Sequence, residues 1–221
     1  MKGLLFSQME PPPGWEDDFK DWYESEHIPA RMAIPGFESA VRYAAIDGEP
    51  AYLACYFLDD LAALETPEYR RLKSEPSERT ARMLRSVNGF TRYTCCEISD
   101  TGPAPAEATV LSVVAFNVPV ADEDEFEQWY AGEHVSLLMQ ADGWLRVRRY
   151  RTLPGHDGPP WTHLALHELR DESAMDSPQR EHARSTDLRN RLARHSWFAR
   201  SGRWLYRPIH AAVGAHAGTR T

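Results

Sequence analysis

Residues Glu16 to Tyr43, EDDFKDWYESEHIPARMAIPGFESAVRY, lie over Glu123 to Tyr150, EDEFEQWYAGEHVSLLMQADGWLRVRRY, with no gap and a constant offset of 107. Eleven of the 28 positions are identical: Glu16, Asp17, Phe19, Trp22, Tyr23, Glu26, His27, Met32, Gly36, Arg42 and Tyr43. Outward from this block a second one follows. YLACYFLDDLAALETP (Tyr52 to Pro67) matches HLALHELRDESAMDSP (His163 to Pro178) at an offset of 111. The four extra residues fall in LPGHDGPP, where Gly and Pro are turn formers. Two matched blocks in one chain read as a tandem duplication.

Each half reads β-α-β-β-α-β. In the first, Leu4 to Met9 is an apolar strand stopped by Pro11, Pro12 and Pro13. A helix opens at Glu16 on an acidic first turn, is weakened by Pro29 and ends at Pro35-Gly36. Strands over 37–46 and 51–58 flank an Asp47-Gly48 turn, 60–87 reads as helix interrupted by Pro67 and Pro76, and 90–98 as the last strand. The second half repeats the order with strands over 110–118, 144–152, 162–169 and 203–209 and helices from Asp122 and from Asp171 to about Arg194. Residues 1–99 are thus expected as one repeat, 100–107 as a linker, 108–210 as the other repeat and 211–221 as a disordered tail. The fold class is α+β: two ferredoxin-like repeats. A sheet covered by helices on one face leaves the other bare, so the two are expected to pack sheet to sheet as an intramolecular α+β barrel with a pocket inside.

Composition bounds the partners. The 221 residues are 42% hydrophobic and 26% charged, a globular balance. The formal charge of −8 speaks against nucleic acid, which needs a concentrated basic face; the acidic surplus lies wholly in residues 1–107. No apolar run approaches the ~18 residues of a membrane span, and Leu4–Phe6 is too short for a secretory core, so the chain is expected in the cytoplasm. Cys55, Cys95 and Cys96 are too few and too poorly spaced for a zinc site and read as buried thiols in strands.

At WYESEHIPARMAIPGF and WYAGEHVSLLMQADGW the chain resembles the dimeric α+β barrel superfamily, in particular its EthD-like branch, over both halves. The second half departs from that pattern, with Ser136 in place of Pro29 and Asp142 in place of Pro35. The resemblance implies the fold. It also implies a range of activities: muconolactone-type isomerases, polyketide cyclases, cofactor-independent oxygenases and haem-degrading enzymes.

His27 and His134 lead the candidate residues. Each stands four positions after a tyrosine, Tyr23 or Tyr130, and so on the same helical face. An imidazole can take and return a proton near neutral pH, and the resemblance implies proton movement on enolisable or phenolic compounds. The alternative is that Glu26-His27 and Glu133-His134 brace the helix end. On the third strand of each half, alternation puts Tyr52 with Tyr56 and His163 with His167 on one face, as a partly polar cavity wall or as edge-exposed groups. His163 and His167 are ~13 Å apart by strand rise, too far to share a metal. Neither metal nor cofactor is expected. Arg42 and Arg149 either hold a substrate carboxylate or phenolate or form ion pairs. With these residues in its positions, the resemblance implies a cofactor-independent enzyme moving a proton on an aromatic or polyketide-like carbonyl compound. The alternatives are a cofactor-independent monooxygenase in the same cavity, a non-catalytic metabolite-binding protein, or a haem binder. No membrane partner is expected, and the chain would act as a monomeric pseudo-dimer or a homodimer.

Overall fold

A computed structural model describes residues 1–105 and 107–215. β1 (Gly3–Glu10) is buried on both faces along most of its length and stops before three consecutive prolines, which cannot extend a ladder. The next helical segment comes in three pieces: α1 (Glu16–Trp22), one π-helical turn over Tyr23–His27, and α2 (Ile28–Met32). Glu16, Asp17 and Asp18 occupy the first turn of α1, at the positive end of its dipole. Pro29 does not weaken the helix as expected. It sits in the first turn of α2, where its missing N–H costs nothing. Gly36 turns the chain at φ +92° and passes so close to Ala63 that a Cβ there would lie 2.7 Å from the alanine methyl.

β2 (Phe37–Ala45) and β3 (Tyr52–Leu58) follow. Where the sequence suggested one interrupted helix over 60–87, the chain forms a 3-10 turn (Leu61–Glu65), α3 (Pro67–Ser74) and α4 (Glu78–Ser86). Both helices have a hydroxyl cap: Thr66 accepts from the Tyr69 N–H, and Ser77 from that of Thr80. β4 (Asn88–Thr101) runs past its expected end at residue 98 into what was read as linker.

In the later part of the chain come β5 (Val110–Phe116), a 3-10 turn (Val120–Asp122), α5 (Glu123–Trp129), a π-helical turn over Tyr130–His134 and α6 (Val135–Leu138). β6 (Trp144–Thr152) and β7 (His163–Leu169) lead to a 3-10 turn (Glu172–Asp176), α7 (Pro178–Ala183) and α8 (Asp187–Leu192). A short α9 (Ser196–Ala199), not anticipated from the sequence, precedes β8 (Gly202–Val213). The tail expected from residue 211 is not disordered at its start. Ala211–Val213 complete β8, and the Gly214 and Ala215 amides donate to the carbonyls of Glu38 and Met32. Ala106 of the expected linker and residues 216–221 of the expected tail lie outside the described residues.

The chain divides into two compact units, 1–97 with 153–159 and 208 onward, and 98–152 with 160–207. In the first unit the antiparallel order is β4-β1-β3-β2, with Leu5 opposite Tyr56 and Arg42 opposite Ala54. In the second it is β8-β5-β7-β6, with Ser112 opposite His167 and Arg149 opposite Ala165. Each unit thus holds a four-stranded antiparallel sheet, and the fold is a mixed α+β one.

Alternation along β3 sends Ala54, Tyr56 and Leu58 to the helix-covered face, where Phe19, Trp22, Tyr23, Ile28 and Met83 close a core. Burying side chains of this size contributes roughly 1.5–3 kcal/mol each. Leu53, Cys55 and Phe57, on the opposite face, are also buried. Cys55 and Cys95 are buried free thiols and Cys96 is half-buried. Among the described residues no helix is long and apolar enough to cross a membrane.

Candidate active site

In the first unit a cavity of about 570 Å³ lies between the helix side of β1 and β3 and the helices α1 to α4. The sequence had placed the pocket between bare sheet faces. The cavity that receives the candidate residues is instead on the covered face, because Tyr56 shares its side of the sheet with Leu5 and Met9. Its wall includes Tyr23, Glu26, His27, Arg31 and Tyr56.

The π-helical turn puts His27 there. One extra residue per turn brings positions five apart together, and the His27 ring lies 4.2 Å from that of Trp22 as well as 5.0 Å from that of Tyr23. His27 is buried, and burial with the neighbouring Arg31 and Arg42 charges holds its pKa well below the usual imidazole range. It is a neutral base at physiological pH. Tyr56 is 2% exposed, and its hydroxyl finds no hydrogen-bond partner among the described residues. Burial pushes its pKa up to about 12, so it remains a phenol with a proton to give. The Arg31 guanidinium stands over the Tyr56 ring at 5.3 Å and donates to the His27 carbonyl at 3.0 Å. The Tyr23 hydroxyl meets only the Met9 sulfur, at 3.5 Å, a weak acceptor. Its pKa is also raised by burial.

Glu26 does something different from its neighbour. It accepts from the Thr80 hydroxyl at 2.6 Å and from that of Ser77, the N-cap of α4. Glu133 accepts in the same way from Thr186, the N-cap of α8, at 2.5 Å. A brace was expected against the next strand; the glutamates instead tie the helix end to the starts of α4 and α8.

In the second unit Tyr130, His134 and His167 meet at a cavity of only about 50 Å³. Their protonation follows from their partners. The indole N–H of Trp144 can only donate, so His167 Nδ1, 3.0 Å away, accepts. His167 is held neutral by burial, so its Nε2–H donates to the Tyr130 oxygen at 2.8 Å. The Ala183 carbonyl can only accept, so His134 carries its proton on Nδ1, 3.2 Å away. Burial pushes the pKa of His134 down to about 4.

The other candidates are held elsewhere. Arg42 is buried over the Tyr23 ring at 4.4 Å and pairs with Glu24 at 3.3 Å; Arg149 lies over Tyr130 at 4.9 Å and pairs with Glu127 at 2.6 Å. Neither lines the large cavity. Tyr52 packs on Phe19 at 5.3 Å and His163 on Phe126 at 4.9 Å, with burial lowering the pKa of His163 to about 4. Sequence reasoning missed Arg31 and Glu26 as wall residues. The only signal for Arg31 is that its aligned position in the other half is Leu138, a difference between otherwise matched segments.

No family model matches the chain, and no curated protein matches it. Solved structures do. An anthrone oxidase-like protein superposes with a TM-score of 0.71 at 13% identity, over 99% of this chain and 96% of its own. A monooxygenase-like protein from Listeria innocua gives 0.52 at 9% identity, over 94% of each chain. A mutant chlorite dismutase from Candidatus Nitrospira defluvii gives 0.58 at 9% identity, over 95% and 92%. At these identities the shared property is the fold, that of dimeric α+β barrel-like proteins.

Proposed function

We propose that the chain is a tandem of two ferredoxin-like repeats of the EthD-like kind. In this reading its first unit is a cofactor-independent enzyme that takes a proton from an aromatic or polyketide-like carbonyl compound. The observation that carries the reading is the unpartnered Tyr56 hydroxyl, held under Arg31 in the cavity that neutral His27 also lines. The cavity volume is within the range of small-molecule sites, and its wall joins apolar and aromatic side chains to polar and charged ones, Lys73, Glu75, Arg92 and Asp157 among them. His27 accepts the proton, and Tyr56 donates to the carbonyl oxygen as it gains charge. Arg31 adds a fixed positive field. Donors already in place stabilise such charge at little reorganisation cost.

A second reading starts from the same enolate, and the structural relatives described as anthrone oxidase-like and monooxygenase-like favour it. The carbanion adds dioxygen to give a peroxide, which loses water and leaves a carbonyl. The methylene carbon gives up four electrons, one oxygen atom stays on carbon and the other leaves as water.

Anthrone in deuterium oxide tests both. We expect enzyme-dependent loss of the methylene proton signals, abolished in His27→Ala. Exchange without oxygen uptake supports isomerase or cyclase chemistry, and stoichiometric uptake supports the oxygenase. Exchange unchanged in His27→Ala would remove the base from the reading. A Soret band in the purified protein would replace it with a haem-based one.

A further inference from the structure

Five arginines of the strands are matched to acids. Arg42 pairs with Glu24, Arg146 with Asp100, Arg148 with Glu168, Arg149 with Glu127 and Arg151 with Glu123. In the second unit four arginines break this pattern. Arg180, Arg184, Arg189 and Arg203 all line the 50 Å³ cavity, and the first three also line an adjoining cleft of about 460 Å³.

None of the four has a carboxylate within ion-pair distance among the described residues. Arg180 donates to the Met175 carbonyl at 2.5 Å, Arg189 to Asn190 Oδ1 at 3.4 Å and Arg203 to Ser201 Oγ at 3.2 Å, all neutral acceptors. Arg189 also lies over the Phe198 ring at 5.3 Å, and Arg203 over Phe116 at 6.0 Å. Burial, then mutual repulsion, lowers the pKa values of Arg180 and Arg189; Arg203 is lowered for the same causes and partly restored by Tyr130. Asp176 and Glu181 line the cleft as well; against its three arginines they leave one positive charge in excess, and Arg203 of the inner cavity adds a second.

Like charges gathered around one cavity cost stability unless a ligand offsets them. We infer that this cleft of the second unit binds a small polyanion, a phosphate- or carboxylate-bearing compound whose oxygens bridge the arginines. Guanidinium groups suit that task because each offers paired N–H donors in a plane that matches either anion. The inner cavity is too small for a ring, so the ligand body occupies the outer cleft. The site is separate from the one lined by Tyr23, His27 and Tyr56, and it stands whether or not that one is catalytic.

Titration with inorganic phosphate and with malonate at low ionic strength, followed by melting temperature and calorimetry, tests the inference. We expect a saturable rise in Tm that sodium chloride at equal ionic strength does not reproduce. Whichever anion binds tighter identifies the headgroup. Arg184→Gln with Arg189→Gln should weaken binding at least about tenfold, about 1.4 kcal/mol, since each removes a charged hydrogen-bond donor. Arg184 is exposed, so Arg184→Gln alone, which leaves the core untouched, should still weaken it measurably. Arg70→Gln, in an exposed ion pair of the first unit, should leave it unchanged. Phosphate and malonate responses equal to chloride, or equal loss in Arg70→Gln, would overturn the inference.

Discussion

Two buried tyrosine hydroxyls, Tyr56 and Tyr130, differ in one respect that can be measured. That of Tyr130 is bonded to His167, and that of Tyr56 is bonded to nothing among the described residues. A buried group without a partner carries its desolvation cost unrelieved. Tyr56→Phe should therefore be neutral or stabilising by up to about 1 kcal/mol in chemical denaturation, while lowering turnover at least tenfold. Tyr130→Phe should cost about 1–2 kcal/mol, because it strands the His167 N–H. A Tyr56→Phe protein as unstable as Tyr130→Phe would give Tyr56 a structural role. The pairing of Tyr23 with His27 was legible in the four-residue spacing. The separation of Arg42 from the cavity was not: alternation places it on the correct face, but only the coordinates show Glu24 and the Tyr23 ring holding it away.

At the scale of elements, the π-helical turns do what an α-helix could not, presenting the histidine to the ring five positions earlier as well as four. Their existence depends on a backbone bonding pattern that side-chain periodicity does not report. Helix boundaries were blurred for a related reason: Pro67 and Pro76 marked breaks, whereas the caps Ser77 and Thr186 look like any other serine and threonine in sequence. The side of the sheet holding the cavity was hidden because β3 is apolar on both faces, so alternation carried no contrast. The Glu26 brace joins the end of the π turn to the start of α4. Glu26→Ala should destabilise by about 1–3 kcal/mol, and Glu26→Gln, which keeps an acceptor, by less. Denaturation midpoints compare the two; equal losses would mean that the carboxylate charge, and not its hydrogen bonds, holds the helices. Gly143 offers a steric test, since an added Cβ would stand 2.9 Å from that of Ala174. Gly143→Ala should lower Tm, and Ala174→Gly in the same protein should recover part of the loss.

For the whole molecule, His27, His163 and His167 are buried, His134 is half-buried, and all four are held neutral, the pKa values of His134 and His163 falling to about 4. Unfolded, each would titrate near ~6.5. Below that pH the unfolded chain binds protons that the folded one refuses, so stability is complete above about 6.5 and declines as the pH falls towards 4. Desolvation is the first cause at every one of the four, so the declines accumulate. Melting temperatures at constant ionic strength should be flat from pH 8 to 7 and fall steeply between about 6 and 4, less steeply in His163→Gln. A flat Tm down to pH 5 would mean that water reaches these rings. The same linkage governs activity. In the proposed reaction neutral His27 is the working form, and its own titration lies well below 6.5, so the rate should hold its plateau while the fold holds. Its acid limb should then coincide with the unfolding curve measured at the same temperature, and a limb displaced to higher pH than unfolding would assign the base to a group other than His27.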